Sequence, residues 1–162
     1  EDTVTQCADV GLLAYEVSNF ASYGEECRHN LVYWRSGDWL GVGPGAHGRM
    51  GVGEDRVASR QWRSPEKWRD AVEETGSGLE SADFLNESDR VAEVLMMGLR
   101  LAEGVSAARF DRIVGTSLWE GVNQKRLDEM VTAGFLKRTS EGISATPRGR
   151  IVLNTLISEL LI

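Results

Sequence analysis

The pattern of apolar and polar positions is clearest in the second half of the chain. Apolar residues recur there every three to four positions, which is the spacing of a helix with one buried face. Ser106 and Asn123 stand where two of these segments begin, and their side chains suit a helix N-cap. The pattern predicts helices over residues 89–102, 107–114, 124–132 and 147–161, and a β-hairpin with strands 135–138 and 143–145. Three helices, a hairpin and a closing helix together indicate a winged-helix-like module.

The first half of the chain mixes helical and strand-like periods. Residues 3–12 have helical spacing, whereas residues 13–20 alternate between apolar and polar side chains, as a half-buried strand does. A helix and a strand this early, with no preceding strand for pairing, suggest a truncated α/β unit. The polar connection at 76–85 indicates a domain boundary after residue 85. Between these segments the pattern predicts a strand or packed turn at 31–34, a strand at 39–42, a hairpin with strands 49–52 and 56–61, and a helix at 65–74.

Composition and charge narrow the class of protein. Hydrophobic residues make up 41% of the 162 residues and charged residues 27%, a balance typical of folded domains. Residues 1–87 hold 8 Lys and Arg against 16 Asp and Glu, whereas residues 88–162 hold 10 against 9. Neither part has the strongly basic footprint of a nucleic-acid binder. No apolar run approaches the ~18 residues of a membrane span, and the first residues do not resemble a signal peptide, so a cytoplasmic location is the default expectation.

The segment Cys27–Trp34 carries the first candidate chemistry. His29 offers an imidazole nitrogen that suits a haem iron or acid–base work, and Asn30 is placed to orient it. Tyr33 and Trp34 could stack on a flat macrocycle. The same residues also fit an ordinary hydrogen-bonded histidine beside structural aromatics, and local composition alone favours that second interpretation.

The glycine-rich stretch at residues 41–48 carries the second candidate. Glycines let the backbone approach a ligand closely, but the spacing is not that of a dinucleotide-binding loop, and Pro44 interrupts it. A tight turn is an equal alternative, and His47 could reach a ligand or cap backbone groups. Cys7 and Cys27 are too few for an iron–sulfur cluster, which usually needs three or four thiolates, so both are expected to be buried free thiols. No catalytic residue is predicted.

A family resemblance is carried by three stretches of the first half and two of the second. The first three are Tyr15–Ala21 (YEVSNFA), Cys27–Trp34 (CRHNLVYW) and Gly41–Gly48 (GVGPGAHG). Together with MGLRL from Met97 and TPRGR from Thr146, they resemble the oxygen-independent coproporphyrinogen III oxidase-like family of radical S-adenosylmethionine (SAM) proteins. The order His-Asn-x-x-Tyr-Trp is similar to the motif of the HemW-type haem chaperones, and the anaerobic oxidases differ at this place.

The resemblance implies a fold class and a division of the chain. The expected class is α/β plus α+β, with a remnant of the C-terminal end of a partial (β/α) radical-SAM barrel at residues 1–85. A winged-helix-like C-terminal module is expected at residues 86–162. The cluster motif C-x-x-x-C-x-x-C is absent from this sequence and is expected N-terminal to Glu1. SAM and a [4Fe-4S] cluster are therefore expected only in a full-length parent, and this chain alone is not expected to cleave SAM.

The resemblance also implies site residues. His29 would attach or ligate haem through the haem iron, and the haem site would be completed by Asn30, Tyr33 and Trp34. Ala21 and His47 would lie close to SAM.

Three functions stay open from the sequence. The first is a fragment of a haem chaperone that binds haem and delivers it to a haem-requiring respiratory enzyme. The alternative is a fragment of the anaerobic coproporphyrinogen III oxidase of porphyrin biosynthesis, and the third is a DNA-binding winged helix. The expected partners are haem or a porphyrin and the haem-accepting enzyme, without nucleic acid and without a membrane span. A homodimer and a peripheral membrane contact are left open.

Overall fold

The structure, a computed structural model, describes residues 2–161 of the chain. Their contacts form two compact units: residues up to 36 together with those from 88 onwards make the first, and residues 37–87 make the second. No helix within residues 2–161 has the length and apolar content needed to cross a membrane. In chain order the elements are α1 (Asp2–Asp9), β1 (Leu13–Ala14), β2 (Phe20–Ala21), α2 (Arg28–Trp34), β3 (His47–Val52), β4 (Asp55–Gln61), α3 (Pro65–Thr75), β5 (Leu79–Phe84), α4 (Glu87–Gly98), β6 (Val105–Ser106), α5 (Ala107–Val114), α6 (Leu118–Gly121), α7 (Gln124–Thr132), β7 (Leu136–Thr139), β8 (Gly142–Ala145), α8 (Pro147–Ile151) and α9 (Leu153–Leu160).

The hydrophobic core lies in the first unit. Helices α4, α5, α7 and α9 each contribute apolar side chains that are fully buried there, namely Leu95, Phe110, Leu127 and Leu160. Burial of one such side chain contributes about 1.5–3 kcal/mol. The apolar periodicity that predicts these helices therefore also identifies the face that each of them buries.

Local capping explains where the core helices begin. The Ser106 hydroxyl accepts a hydrogen bond from the Arg109 backbone N–H at the start of α5. The Asn123 side chain does the same for the Arg126 N–H at the start of α7. Such caps satisfy backbone donors that a helix end leaves open. The predicted starts of both helices are confirmed.

The small sheet of the first unit is antiparallel, with strand order β6-β8-β7. The predicted hairpin is confirmed as β7 and β8. Strand β6 was not predicted, because two residues carry no periodicity. Through the pairing of Val105 with Ile143, it brings the segment between α4 and α5 against the hairpin.

The second unit is an antiparallel sheet, β3-β4-β5, with the helix α3. The predicted hairpin of β3 and β4 and the predicted helix are both confirmed. Ser64 caps that helix by accepting from the Lys67 N–H, and Gly76 ends it in a left-handed conformation. Strand β5 lies in the segment predicted to be a polar connection, which is a correction. Its residues form a strand because β4 supplies the hydrogen-bond partners.

Three further predictions of secondary structure are wrong, and a fourth is wrong in part. The single strand at 13–20 is two short paired strands, β1 and β2, because Glu16 and Ser18 close a turn between them. The strand or packed turn at 31–34 is helical. The strand at 39–42 is reduced to one bridge, between Trp39 and Arg49. The closing helix is interrupted at Val152, which separates α8 from α9.

The observed class is mixed α/β. The barrel remnant, the winged-helix arrangement and the boundary between residues 85 and 86 stay predictions.

Candidate functional site

The candidate haem segment is the helix α2. It has no buried residue, and Cys27 stands at its N-cap without a side-chain cap. Leu31, Tyr33 and Trp34 are half-buried, so the polar contacts of its side chains add to a shallow apolar contact. Because residues one turn apart share a side of a helix, the motif falls into two pairs, His29 with Tyr33 and Asn30 with Trp34.

His29 and Tyr33 contact each other on the surface of the first unit. The Tyr33 hydroxyl lies 3.2 Å from His29 Nε2, within hydrogen-bond distance. The two rings meet edge to face, with centroids 4.9 Å apart and an angle of 89° between their planes. The His29 side chain is exposed. An imidazole that is exposed in this way is chemically able to ligate an iron.

Asn30 contacts Tyr15, whereas the sequence suggested that it orients His29. Its side-chain amide donates to the Tyr15 hydroxyl at 3.3 Å, so it contacts the segment before β2. The residue that contacts His29 is Tyr33. Asn30 thus links α2 to the first of the family stretches, and Trp34, which is half-buried, follows one turn later.

The carboxyl end of α2 is held by an ion pair. Arg35 donates to Glu103 through Nε at 2.9 Å and through Nη2 at 2.6 Å. Arg109 of α5 donates to the same carboxylate at 3.3 Å. The hydrogen bond from Arg35 is the main reason that the pKa of Glu103 lies below its ordinary value, and burial of the carboxyl opposes this shift. The same bond raises the pKa of Arg35.

The expected SAM neighbours lie in different units. Ala21 belongs to β2 in the first unit, where it pairs with Leu13. His47 begins β3 in the second unit, pairs with Arg60 and is exposed. Their proposed roles stay predictions.

A buried carboxylate near Ala21 is a feature that sequence reasoning missed. Glu16 has no exposed surface, and its Oε1 accepts from the backbone N–H and the hydroxyl of Ser18. Among the described residues, its Oε2 is buried without a hydrogen-bond partner. Alternation along 13–20 suggested a solvated residue here. The tight turn between β1 and β2, which the sequence pattern did not indicate, is what buries it.

The glycine-rich stretch of the second unit has a clear structural reason. A Cβ added to Gly41 would lie 2.4 Å from the His47 carbonyl oxygen, closer than real Cβ contacts. Gly45 has a φ of +71°, and its N–H donates to the Trp62 carbonyl. The stretch therefore needs glycine for close packing of its own backbone, as the tight-turn interpretation requires. These contacts do not by themselves indicate a ligand.

The residues of this chain do not fit an iron–sulfur cluster. The sequence has two cysteines, and neither is paired in a disulfide. Their predicted burial is wrong, because Cys7 is half-buried and Cys27, at the N-cap of α2, is exposed. In the part of the chain that the structure describes, no three His, Cys, Asp or Glu side chains are grouped as metal ligands. No chemical step through a cluster is assigned to these residues.

Comparison with known proteins gives three kinds of match. Residues 85–152 match the sequence model of the HemN C-terminal domain. The chain is 36% identical, over 97% of its length, to mouse radical S-adenosyl methionine domain-containing protein 1, mitochondrial. It is 34% identical, over 93% of its length, to the haem chaperone HemW of Escherichia coli strain K12. The solved structure of the E. coli coproporphyrinogen III oxidase HemN, a radical SAM enzyme, matches 97% of the chain with a TM-score of 0.67 at 16% identity.

The chain belongs to the family of HemN- and HemW-type radical-SAM proteins. Its sequence relatives over most of its length place it with the HemW type, and it corresponds to a part of such a protein that includes the C-terminal domain. The resemblance carried by the family stretches is thereby confirmed. The chain spans 37% of the mouse relative and 38% of E. coli HemW, so the activity of a whole protein is a separate question.

Proposed function

We propose that this chain contains the haem-holding segment of a haem chaperone, with His29 as the iron ligand. The observation that carries the proposal is the exposed His29–Tyr33 pair on a helix without buried residues. Haem is the cargo, and it needs an accessible imidazole nitrogen and a flat apolar contact. His29 supplies the first, and the rings of Tyr33 and Trp34 are the candidates for the second.

A protein that binds haem and later releases it to an acceptor needs a haem site that is open on one side. A buried histidine in a closed pocket would bind haem tightly and release it slowly. The exposure of His29 instead allows an acceptor protein to approach the same haem face. We infer that the whole protein passes haem to a haem-requiring enzyme, and that SAM and a cluster belong to parts of it outside these residues. A cytoplasmic location stays a prediction, since the relatives include mitochondrial proteins.

The test is a titration of the chain with haemin, followed by the Soret band. We expect His29→Ala to lose the change in the Soret band that wild type shows. His47→Ala is the matched control, because His47 is the other histidine of the chain, is exposed and lies in the other unit. Equal binding by wild type and His29→Ala would refute His29 as the ligand.

The oxidase alternative rests on the likeness to HemN, which at 16% identity supports a shared fold. The sequence relatives at 30–36% identity include HemW proteins from three bacteria, and this favours the chaperone. An anaerobic assay of a full-length relative, reconstituted with its cluster, separates the two. Conversion of coproporphyrinogen III to a vinyl product would favour the oxidase.

DNA binding is disfavoured by the ion pairs of α7. Arg126 contacts both Glu129 and Glu159, and Arg138 of β7 contacts Asp128. Phosphate contacts would have to replace these carboxylates, in a half of the chain that carries almost no net positive charge. Tight binding in a mobility-shift assay at low salt would overturn this argument.

A further inference from the structure

One carboxylate joins the candidate haem helix to the C-terminal part of the first unit. Glu103 lies in the segment between α4 and β6, and both of its oxygens accept hydrogen bonds from Arg35. Arg109 of α5 approaches the same carboxylate from the other element. The two-pronged contact of a guanidinium with a carboxylate fixes direction as well as distance.

Arg35 stands at the C-terminal end of α2, where a side-chain contact can fix the last turn of the helix. Arg35 is the C-cap of α2: its backbone N–H donates to the Leu31 carbonyl, and the Ser36 N–H donates to the Tyr33 carbonyl. A side chain fixed at the cap therefore fixes the last turn, which carries Tyr33. The Arg35–Glu103 pair and the Asn30–Tyr15 hydrogen bond join α2 and its C-cap to other parts of the first unit.

The shallow burial of α2 makes its polar contacts important. An amphipathic helix is normally oriented by the apolar face that it buries. Residues 28–34 include no fully buried residue, and Leu31, Tyr33 and Trp34 are half-buried. Removing one polar contact should therefore change the orientation of the helix more than it would for a helix of the core.

We propose that Glu103 is a positioning residue for haem binding: through Arg35 it sets the direction in which α2 presents His29. The inference rests on the proposed function, because it concerns the same histidine. Glu103 itself is not expected to touch haem. The adjacent Arg109 completes the charge balance at the carboxylate but does not act on α2.

The experiment uses the full chain and four variants: Glu103→Ala, Arg35→Ala, the double variant, and Arg109→Ala as the matched control. Arg109→Ala removes a cation from the same carboxylate without touching α2. Haemin affinity and the Soret maximum at saturation are measured first. Hydrogen exchange of the α2 amides is then measured without haemin, and the thermal midpoint reports whether each variant is folded.

We expect Glu103→Ala and Arg35→Ala to speed exchange in α2 and to weaken haemin binding by about two- to fivefold, which is the effect of one partly exposed ion pair. Both should shift the Soret maximum, because the iron–histidine geometry changes. The double variant should bind haemin like either single variant, since the two changes remove one contact. Arg109→Ala should retain wild-type exchange in α2 and wild-type haemin binding.

The measured outcomes distinguish a failure of the positioning role of Glu103 from a failure of the proposed haem binding at His29. Wild type that does not bind haemin, or that binds it as well as His29→Ala does, would refute the proposed function. If wild type binds through His29 but Glu103→Ala keeps the same affinity and Soret maximum, the positioning role is refuted alone. Equal effects of Arg35→Ala and Arg109→Ala would also refute it. If Glu103→Ala does not fold, Glu103→Gln, which keeps the side-chain size, takes its place.

Discussion

Removal of the Tyr33 hydroxyl should tighten haemin binding. In the structure this hydroxyl lies 3.2 Å from Nε2 of His29, the ring nitrogen farther from the backbone and the more accessible one for iron. In the tautomer that carries its proton on Nδ1, Nε2 accepts this hydrogen bond, and its lone pair is not available to a metal. Iron then has to displace the hydroxyl before it binds, and Tyr33→Phe removes that competitor while it keeps the aromatic ring.

The size of the effect follows from the nature of the bond. A neutral intramolecular hydrogen bond contributes about 0.5–1.5 kcal/mol net, because water replaces it when it breaks. That range corresponds to about two- to twelvefold in the dissociation constant. His29 is exposed, so water competes well, and the lower end of the range is expected.

The assay is a haemin titration of wild type, Tyr33→Phe and Tyr33→Ala at fixed pH and salt. Tyr33→Phe should bind more tightly than wild type. Tyr33→Ala, which also removes the edge-to-face ring contact, should lose that gain. Weaker binding by Tyr33→Phe would refute the reasoning. It would mean that Nε2 donates its proton to Tyr33 and that Nδ1 ligates the iron, with the hydroxyl as its support.

Four other outcomes follow from the structure of the first unit. Gly115→Ala should lower the free energy of unfolding by about 1–2 kcal/mol, because Gly115 has a φ of +88° in open space. Gly104→Ala should cost more, since its Cβ would also lie 2.2 Å from the Ile143 carbonyl oxygen; equal losses in urea unfolding would contradict this ranking. Phe110→Ala should cost about 3–5 kcal/mol in the same assay, and a loss below that of Gly115→Ala would refute the burial of Phe110. Because the folded-state pKa of Glu103 is lowered, its contribution to stability is present above the ordinary carboxyl pKa and is lost as pH falls through the folded value, so the difference in thermal midpoint between wild type and Glu103→Gln should shrink on acidification.

The second half of the chain was more predictable than the first because its signals are local. The caps at Ser106 and Asn123 act within one helical turn, and the apolar spacing of α5 and α7 is visible in the sequence alone. Strand β5 depends on hydrogen bonds to β4, which lies about twenty residues earlier in the chain, so composition predicted only a polar connection. Propensity was misleading at α2, where Val32, Tyr33 and Trp34 favour a strand.

In the candidate site, too, the sequence predicted local features better than contacts between residues that are distant in the chain. The sequence indicated which residues of the motif belong together, but not which contacts which. Helical geometry separates His29 from Asn30 by about 100° around α2, and the two side chains make different contacts. His29 contacts Tyr33, whereas Asn30 donates to the Tyr15 hydroxyl outside the helix. A motif that reads as one run in the sequence thus becomes two interleaved pairs.

The side chains that anchor α2 differ from the side chain that is proposed to ligate haem, so binding and release can be tuned separately. The anchors of α2, on Tyr15 and Glu103, involve side chains other than those that are proposed to meet haem. Changes at the anchors therefore alter the direction and mobility of His29 without removing the ligand. Changes at Tyr33 instead alter the competition for the ring nitrogen without moving the helix. If the proposed function holds, Glu103→Ala should shift both haemin affinity and amide exchange, whereas Tyr33→Phe should shift affinity alone, and exchange of the α2 amides without haemin distinguishes the two routes.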